Sequence, residues 1–254
     1  VEWTTRQMMA VAMARQIQDG KAYIVGTGLP LVAVSLAKQT HAPNATLIFE
    51  TALIDGAPAE VPTSVSDLRL NYKASVLWPQ YRYFGYQAIS SKRGEVAAGF
   101  LGGAQIDPYG NLNSTSIGDY YHPKTRFTGS GGANGIATYC DTIIMMQHEK
   151  RRFIEKVDYI TSPGWLDGPG GREKAGLPGD KGPRVVVTEY GIMKFDDETK
   201  RIYLAEYYPG ITIEQIVENT GFELDVSKAT EADEPTALEL DALLNKVDPQ
   251  RLMV

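Results

Sequence analysis

Apolar residues recur at helical spacing near the start of the chain, and the period then changes. Met9, Met13 and Ile17 stand at i, i+4 and i+8, which predicts a helix over about 5–18 with one buried face. Thr4 and Gln7 have capping-box spacing ahead of it, and Asp19-Gly20 ends it. Ala22-Tyr23-Ile24-Val25 is an unbroken apolar run of strand length. The turn Gly26-Thr27-Gly28-Leu29-Pro30 follows, then a helical stretch through Lys38 and a second strand over 45–49. Strand, glycine turn, helix, strand is the order of a parallel βαβ unit.

Between Leu53 and Pro79 the pattern loosens into a loop rich in Pro, Ser and Asp, with a short helix near 66–72. A helix over 81–93 and strands over 96–101, 142–147, 156–160, 184–188 and 201–205 continue the alternation. Thr212 with Gln215, and Gly221 beyond, bracket a late helix, and Leu240, Leu243 and Leu244 mark another. Ser162 to Pro183, with GPGGREKAGLPGDKGP at its heart, reads as a long loop: a lid, an interface arm or an inert insertion. There is no internal repeat. The expectation is one α/β domain over 1–254, an open, mostly parallel sheet with helices on both faces, carrying a Gly/Pro-rich loop at 162–183.

Composition narrows the classes. The 254 residues suffice to bury a core. The net charge of -6, with no basic stripe, argues against nucleic acid as a partner. Cys140 is the sole cysteine, so no intrachain disulfide can form and a reducing cytoplasm is expected. No apolar run of about 18 residues exists to span a membrane, and the N-terminus lacks a basic-then-apolar leader pattern. His41, His122 and His148 are scattered without metal-ligand spacing, so no metal is expected. Cys140 reads as a buried thiol. Ser130 sits in a glycine loop but lacks the G-x-S-x-G pattern. Lys150-Arg151-Arg152 is either a solvated face or a phosphate contact.

Three places invite chemistry. The 26–30 turn has a helix N-terminus behind it, which suits an anion near Gly28. It lacks the third glycine of a dinucleotide fingerprint, so a plain tight turn is the other reading. Glu50 directly follows the apolar strand Leu47-Ile48-Phe49. Ligands bind at the carboxyl edge of open α/β sheets, although a solvated glutamate at a strand end is common. Asp55 and Glu60 lie nearby, but neither directly follows a strand. A third feature is the stretch 99–135, where Gly102-Gly103, the turn Asp107-Pro108-Tyr109-Gly110 and Gly129-Ser130-Gly131-Gly132 let backbone N–H groups approach a ligand closely. Asn111 and Asn113 serve turn geometry there.

The spaced motif LGGAQID-YGNLN...GSGGAN resembles the β-subunits of family I coenzyme A transferases, the glutaconate type in particular, and the likeness runs from about Thr4 to Gly221. It implies a three-layer α/β/α fold and CoA transfer between an acyl-CoA and a free acid, a dicarboxylate such as glutaconate being the expected class. Glu50 would be the nucleophile, carrying CoA as a glutamyl thioester. Gly131, Gly132 and Ala133 would turn N–H groups to the reacting thioester, with Gly102 and Gly103 at matching spacing and Gln105 as a possible pocket residue. No cofactor would be bound permanently, because the coenzyme A thioester is the substrate. A homologous α-subunit would complete αβ pairs within a larger hetero-oligomer. An acyl-CoA hydrolase on the same scaffold is the first alternative, and a non-catalytic CoA- or ligand-binding subunit the second. The steroid ring-opening branch lacks the glutamate and a decarboxylase branch has cysteine there, so Glu50 favours transfer. A sensor module would predict an attached DNA-binding segment, and none is visible in the sequence.

Overall fold

A computed structural model describes residues 2–58, 60–62, 64, 67–79, 81–83, 85, 93 and 95–254. The chain forms two compact units, residues 1–100 with 234–254, and residues 101–233.

The first unit opens with helix α1 (Thr5–Ala14). The Thr4 hydroxyl accepts from the Gln7 N–H while the Gln7 side chain accepts from the Thr4 N–H, so the capping box is made. The helix ends at Ala14 rather than near Gln18. The Gln16 and Ile17 N–H groups bond to the Met13 and Ala14 carbonyls, the tighter spacing that closes many helix ends. Strand β1 (Ala22–Val25), helix α2 (Leu29–Gln39) and strand β2 (Thr46–Phe49) form the expected βαβ unit. In α2 the Val32, Ala33, Val34, Leu36 and Ala37 side chains are fully buried. Each buried Val or Leu contributes about 1.5–3 kcal/mol. Pro30 sits in the first turn, where its missing N–H leaves nothing unpaired.

The short strands β3 (Leu53–Ile54) and β4 (Val76–Leu77) follow, then β5 (Val96–Leu101). The order is β5-β1-β2-β3-β4. The β5–β1 and β1–β2 pairs are parallel, and β2–β3 and β3–β4 antiparallel. A 3-10 turn at Leu68–Asn71, capped by Asp67, is the short helix expected near 66–72. The helix expected over 81–93 falls largely on residues outside the described set.

The second unit contains two small hairpins, β6 (Gln105–Ile106) with β7 (Leu112–Asn113) and β8 (Ser116–Ile117) with β9 (Thr125–Arg126). A helix, Ala133–Tyr139, leads into β10 (Asp141–Met145). Strands β11 (Pro183–Val187), β12 (Gly191–Phe195), β13 (Ile202–Tyr207) and β14 (Thr230–Glu231) follow, in the order β14-β13-β12-β11-β10. The β10–β11 and β13–β14 pairs are parallel and the two between them antiparallel. The late helix is Ile213–Glu218, capped by Thr212.

Three readings of the second unit need correction. The strand expected over 156–160 does not form. Phe153 and Ile154 make isolated bridges, and Asp158 binds a side chain instead of a ladder, its N–H donating to Gln105 Oε1. Strand β12 was not expected, because Gly191 and Lys194 interrupt its apolar run; it pairs antiparallel on both sides. The 162–183 segment, read as loop throughout, contains a helical turn at Gly171–Lys174.

The chain returns to the first unit through the helix Ala237–Ala242. Thr236 and Glu239 form a second capping box, and Glu239 also accepts two bonds of 2.9 Å from the Arg15 guanidinium of α1.

Candidate active site

In the first unit the carboxyl ends of three parallel strands define one edge. Val25 of β1 pairs with Phe49 of β2, and Ile24 pairs with Gly99 of β5. The turn after β1 and the turn after β2 therefore leave side by side, and the chain exits β5 at the same edge through Gly102. This is the edge at which open α/β sheets bind ligands.

Glu50 occupies the turn after β2. The Ala52 N–H donates to the Phe49 carbonyl at 2.9 Å and Ala52 adopts a left-handed φ of 65°, so the chain reverses sharply around Glu50 and Thr51. Left-handed backbone at a non-glycine residue is strained and concentrates at functional sites. Glu50 is half-buried and makes no hydrogen bond or ion pair among the described residues. The Thr51 hydroxyl beside it is buried and has no partner among them either. The other two carboxylates of this segment are engaged. Asp55 holds Lys38 at 2.6 Å and Glu60 holds Arg69 at 3.0 Å.

Beside the Glu50 turn, Gly28 caps α2 with φ 84° and ψ -147°, a conformation that excludes other residues. No atom stands within 4 Å of where its Cβ would be. The Leu29 and Leu31 N–H groups are first-turn donors with no partner among the described residues, and Pro30 has no N–H.

In the second unit the glycine loop leads into the helix Ala133–Tyr139, with Gly132 as its cap and left-handed φ values at Gly129 (90°) and Gly131 (49°). The Ala133 N–H already donates to the Ser130 carbonyl at 2.9 Å, which removes Ala133 from the expected donors. The N–H groups of exposed Gly131 and buried Gly132 have no partner among the described residues. The loop is fixed from two sides. The Gly129 N–H meets the Ser114 carbonyl at 3.1 Å, and the Asn134 side chain donates to the Thr161 carbonyl at 3.0 Å.

Gly102 and Gly103 are explained by packing inside this unit. A Cβ at Gly102 would lie 3.1 Å from the Met145 carbonyl oxygen, and one at Gly103 3.2 Å from that of Asn113. Gln105 is buried and held at both the nitrogen and the oxygen of its amide. Its Nε2 donates to Asp158 at 2.9 Å, and its Oε1 accepts from Asn113 at 2.6 Å and from the Asp158 N–H at 3.1 Å. Its oxygen is doubly engaged, while the second Nε2 hydrogen has no partner among the described residues.

The neighbouring turn is equally closed. Asp107 accepts from the Tyr109 and Asn111 N–H groups and from the Asn111 side chain, and burial nonetheless pushes its carboxyl up to about 6. The Asn111 side chain in turn accepts from the Gly164 and Leu166 N–H groups. His148 is buried between Phe153 and Tyr190, its ring nitrogens facing the Thr188 and Thr220 hydroxyls, and burial holds it down to about 4. It is a neutral core side chain. Arg151 and Arg152 both lean on Glu149.

Sequence reasoning missed Arg172, an arginine 1% exposed. Its surroundings, Gly-Gly-Arg-Glu-Lys inside a glycine- and proline-rich run, carry no periodicity that marks burial.

The Coenzyme A transferase family matches residues 6–219 of this chain. The B-type chain of glutaconate CoA-transferase from Acidaminococcus fermentans is 56% identical over 254 residues, covering 99% of this chain and 95% of that one. The corresponding chain of 3-oxoadipate CoA-transferase from Pseudomonas knackmussii is 38% identical, covering 95% and 92%. The crystal structure of glutaconate coenzyme A-transferase from A. fermentans superposes with a TM-score of 0.96 over 99% of this chain and 97% of the matched one.

Proposed function

Because this chain belongs to the coenzyme A transferase family, we propose that it moves CoA from an acyl-CoA to a free dicarboxylic acid, with Glu50 as the covalent carrier. One observation supports that residue above its neighbours. Among the described residues Glu50 has no partner at the edge of the parallel strands, whereas Asp55 and Glu60 are tied to cations. A carboxylate in an ion pair must leave it before attacking a carbonyl; an unpaired one is available as a nucleophile.

A Glu50 oxygen attacks the acyl-CoA carbonyl. The C–S bond breaks and CoA departs as the thiolate, leaving a mixed anhydride between Glu50 and the acyl group. The thiolate then attacks the Glu50 carbonyl carbon, the bond to the acyl oxygen breaks, and the first acid leaves as a carboxylate. Glu50 now holds CoA as a thioester, and the acceptor acid runs both steps in reverse. Water takes no part, so the thioester's free energy is kept, and neither a metal nor a resident cofactor is required. Each addition makes an oxyanion that pre-aimed N–H groups stabilise; in the second unit the unpartnered Gly131 and Gly132 donors suit such an oxygen.

The dicarboxylate class rests on the relatives, whose names carry glutaconate and 3-oxoadipate, both dicarboxylates. Each of those relatives is named as one subunit of its enzyme, which supports a companion subunit in a hetero-oligomer here.

The experiment is to assemble the chain with its companion subunit, add acyl-CoA without an acceptor acid, and weigh each subunit intact. A CoA thioester should appear on this chain and vanish in Glu50→Gln. Steady release of free acid and CoA from an unmodified chain would replace transfer by hydrolysis, and a label on another residue would remove Glu50.

A further inference from the structure

Arg172 directs all five N–H donors at backbone carbonyls. Its Nε donates to Pro178 at 2.8 Å. Nη1 donates to Pro163 and Gly164 at 3.3 and 2.9 Å. Nη2 donates to Ala137 and Thr138 at 3.1 and 3.0 Å. No carboxylate lies within ion-pair distance of it among the described residues. Removing a guanidinium from water without a counter-ion is costly. Here the solvation comes from carbonyls of three separate segments, which must hold their places to provide it.

Two of those carbonyls, Ala137 and Thr138, belong to the last turn of the helix Ala133–Tyr139. Carbonyls there lack intrahelical partners and attract a cation. Two others belong to the 163–164 segment. At its opposite end the same helix is tied to the same strand of chain, through Asn134 to the Thr161 carbonyl. Two attachments along one helix fix its rotation and translation against 161–164, whereas one would leave a pivot. The residues whose position this sets are those continuous with its first turn, Gly131 and Gly132.

We propose that Arg172 is a positioning residue for the reaction: from inside the 162–183 segment it holds the glycine-loop donors in register for the thioester oxygen. The proposal rests on the donor role assigned above to Gly131 and Gly132. It also gives the 162–183 segment a task, that of a fixed brace. A brace of this kind acts on geometry in the transition state, so its loss reduces kcat more than it raises KM.

The test uses the assembled enzyme with Arg172→Lys, Arg172→Met and Asn134→Ala, which releases the other attachment. Leu204→Ala is the control. It opens a cavity at a fully buried position of β13, a strand that is none of the bracing segments. Competent sites are counted by CoA capture, and kcat is given per site. Both Arg172 variants should lose kcat about 100-fold, the effect of misplacing a catalytic group by about 1 Å. Their KM for acyl-CoA should stay within about threefold. Lys should keep more activity than Met, Asn134→Ala should lose about 10-fold, and Leu204→Ala should melt at lower temperature with kcat intact. If Met does not fold, Lys and Asn134→Ala decide. A lower melting temperature with unchanged kcat per site in those variants overturns the proposal, as does a kcat loss in Leu204→Ala equal to theirs. Should the unsubstituted enzyme turn over without capturing CoA, the Glu50 reading fails by itself, and kcat per folded molecule still tests Arg172.

Discussion

Glu50 and Asp107 are both carboxylates that directly follow short strands, and the fold treats them in opposite ways. Asp107 is buried, with three donors on its two oxygens and the turn Asp107–Gly110 closed around it. Glu50 is half-exposed in a strained turn and meets no donor among the described residues. The first carboxylate holds a structure together; the second is, in the function proposed above, the one open to something that is not part of the chain. A polar group's satisfaction thus separates scaffold from chemistry better than its place along the sequence does.

The contrast breaks most directly at Glu50. Glu50→Ala should abolish transfer, at least about 10⁴-fold in kcat, while unfolding free energy moves by about 0.5 kcal/mol or less. Turnover and a urea melt on the same preparation read both. A large stability loss would mean that Glu50 is scaffold after all.

Asn111→Ala should behave in the reverse manner. It strips Asp107 of a donor and leaves the buried Gly164 N–H and the part-buried Leu166 N–H without their acceptor. A loss of about 3 kcal/mol is expected in urea unfolding.

Acid sharpens the comparison, because two buried groups respond with opposite sign. The folded-state pKa of His148 is depressed to about 4 by burial, below the usual 6.5. Its contribution is present above 6.5 and is lost as pH falls toward 4, roughly 3 kcal/mol over that window. Asp107 is raised to about 6 by burial. Its folded form keeps the proton longer than the unfolded chain, so it opposes folding at neutral pH and that penalty fades as pH falls from 6 to 3.8, by about 3 kcal/mol. His148→Gln should therefore flatten the stability loss between pH 7 and 4, and an NMR titration should find the Asp107 midpoint near 6. A midpoint near 4 would show a carboxylate whose donors fully offset its burial.

Glu239 lies between the extremes, paired but near the surface. Arg15→Ala should cost only about 1 kcal/mol, and the difference should shrink in 1 M salt. An effect of 3 kcal/mol would place this pair with the buried networks.

Much of the first unit was legible. The capping box at Thr4, the βαβ order and the position of Glu50 at a strand end all follow from local patterns, since periodicity and turn residues act within a few positions of one another. The second unit was less so. The stretch 156–160 has strand-like residues, yet Asp158 bonds to Gln105, a partner far away in sequence. Strand β12 forms because neighbours on both sides accept it. Gly102 and Gly103 pack closely on carbonyls of other segments, and Gln105 bonds to the Asp158 and Asn113 side chains, close approaches that no single stretch records.

The sequence alone determined the α/β class, the carboxylate at the end of β2 and the glycine loop before residue 133, because each is a short-range pattern with its own chemistry. Tertiary structure decided which groups remained free. Ala133 lost its N–H to Ser130, Asp55 and Glu60 found cations, and Arg172 gathered carbonyls from three segments. Desolvation is the physical reason: a polar group taken from water must bond to whatever the fold brings beside it, and that neighbour is set by the whole chain.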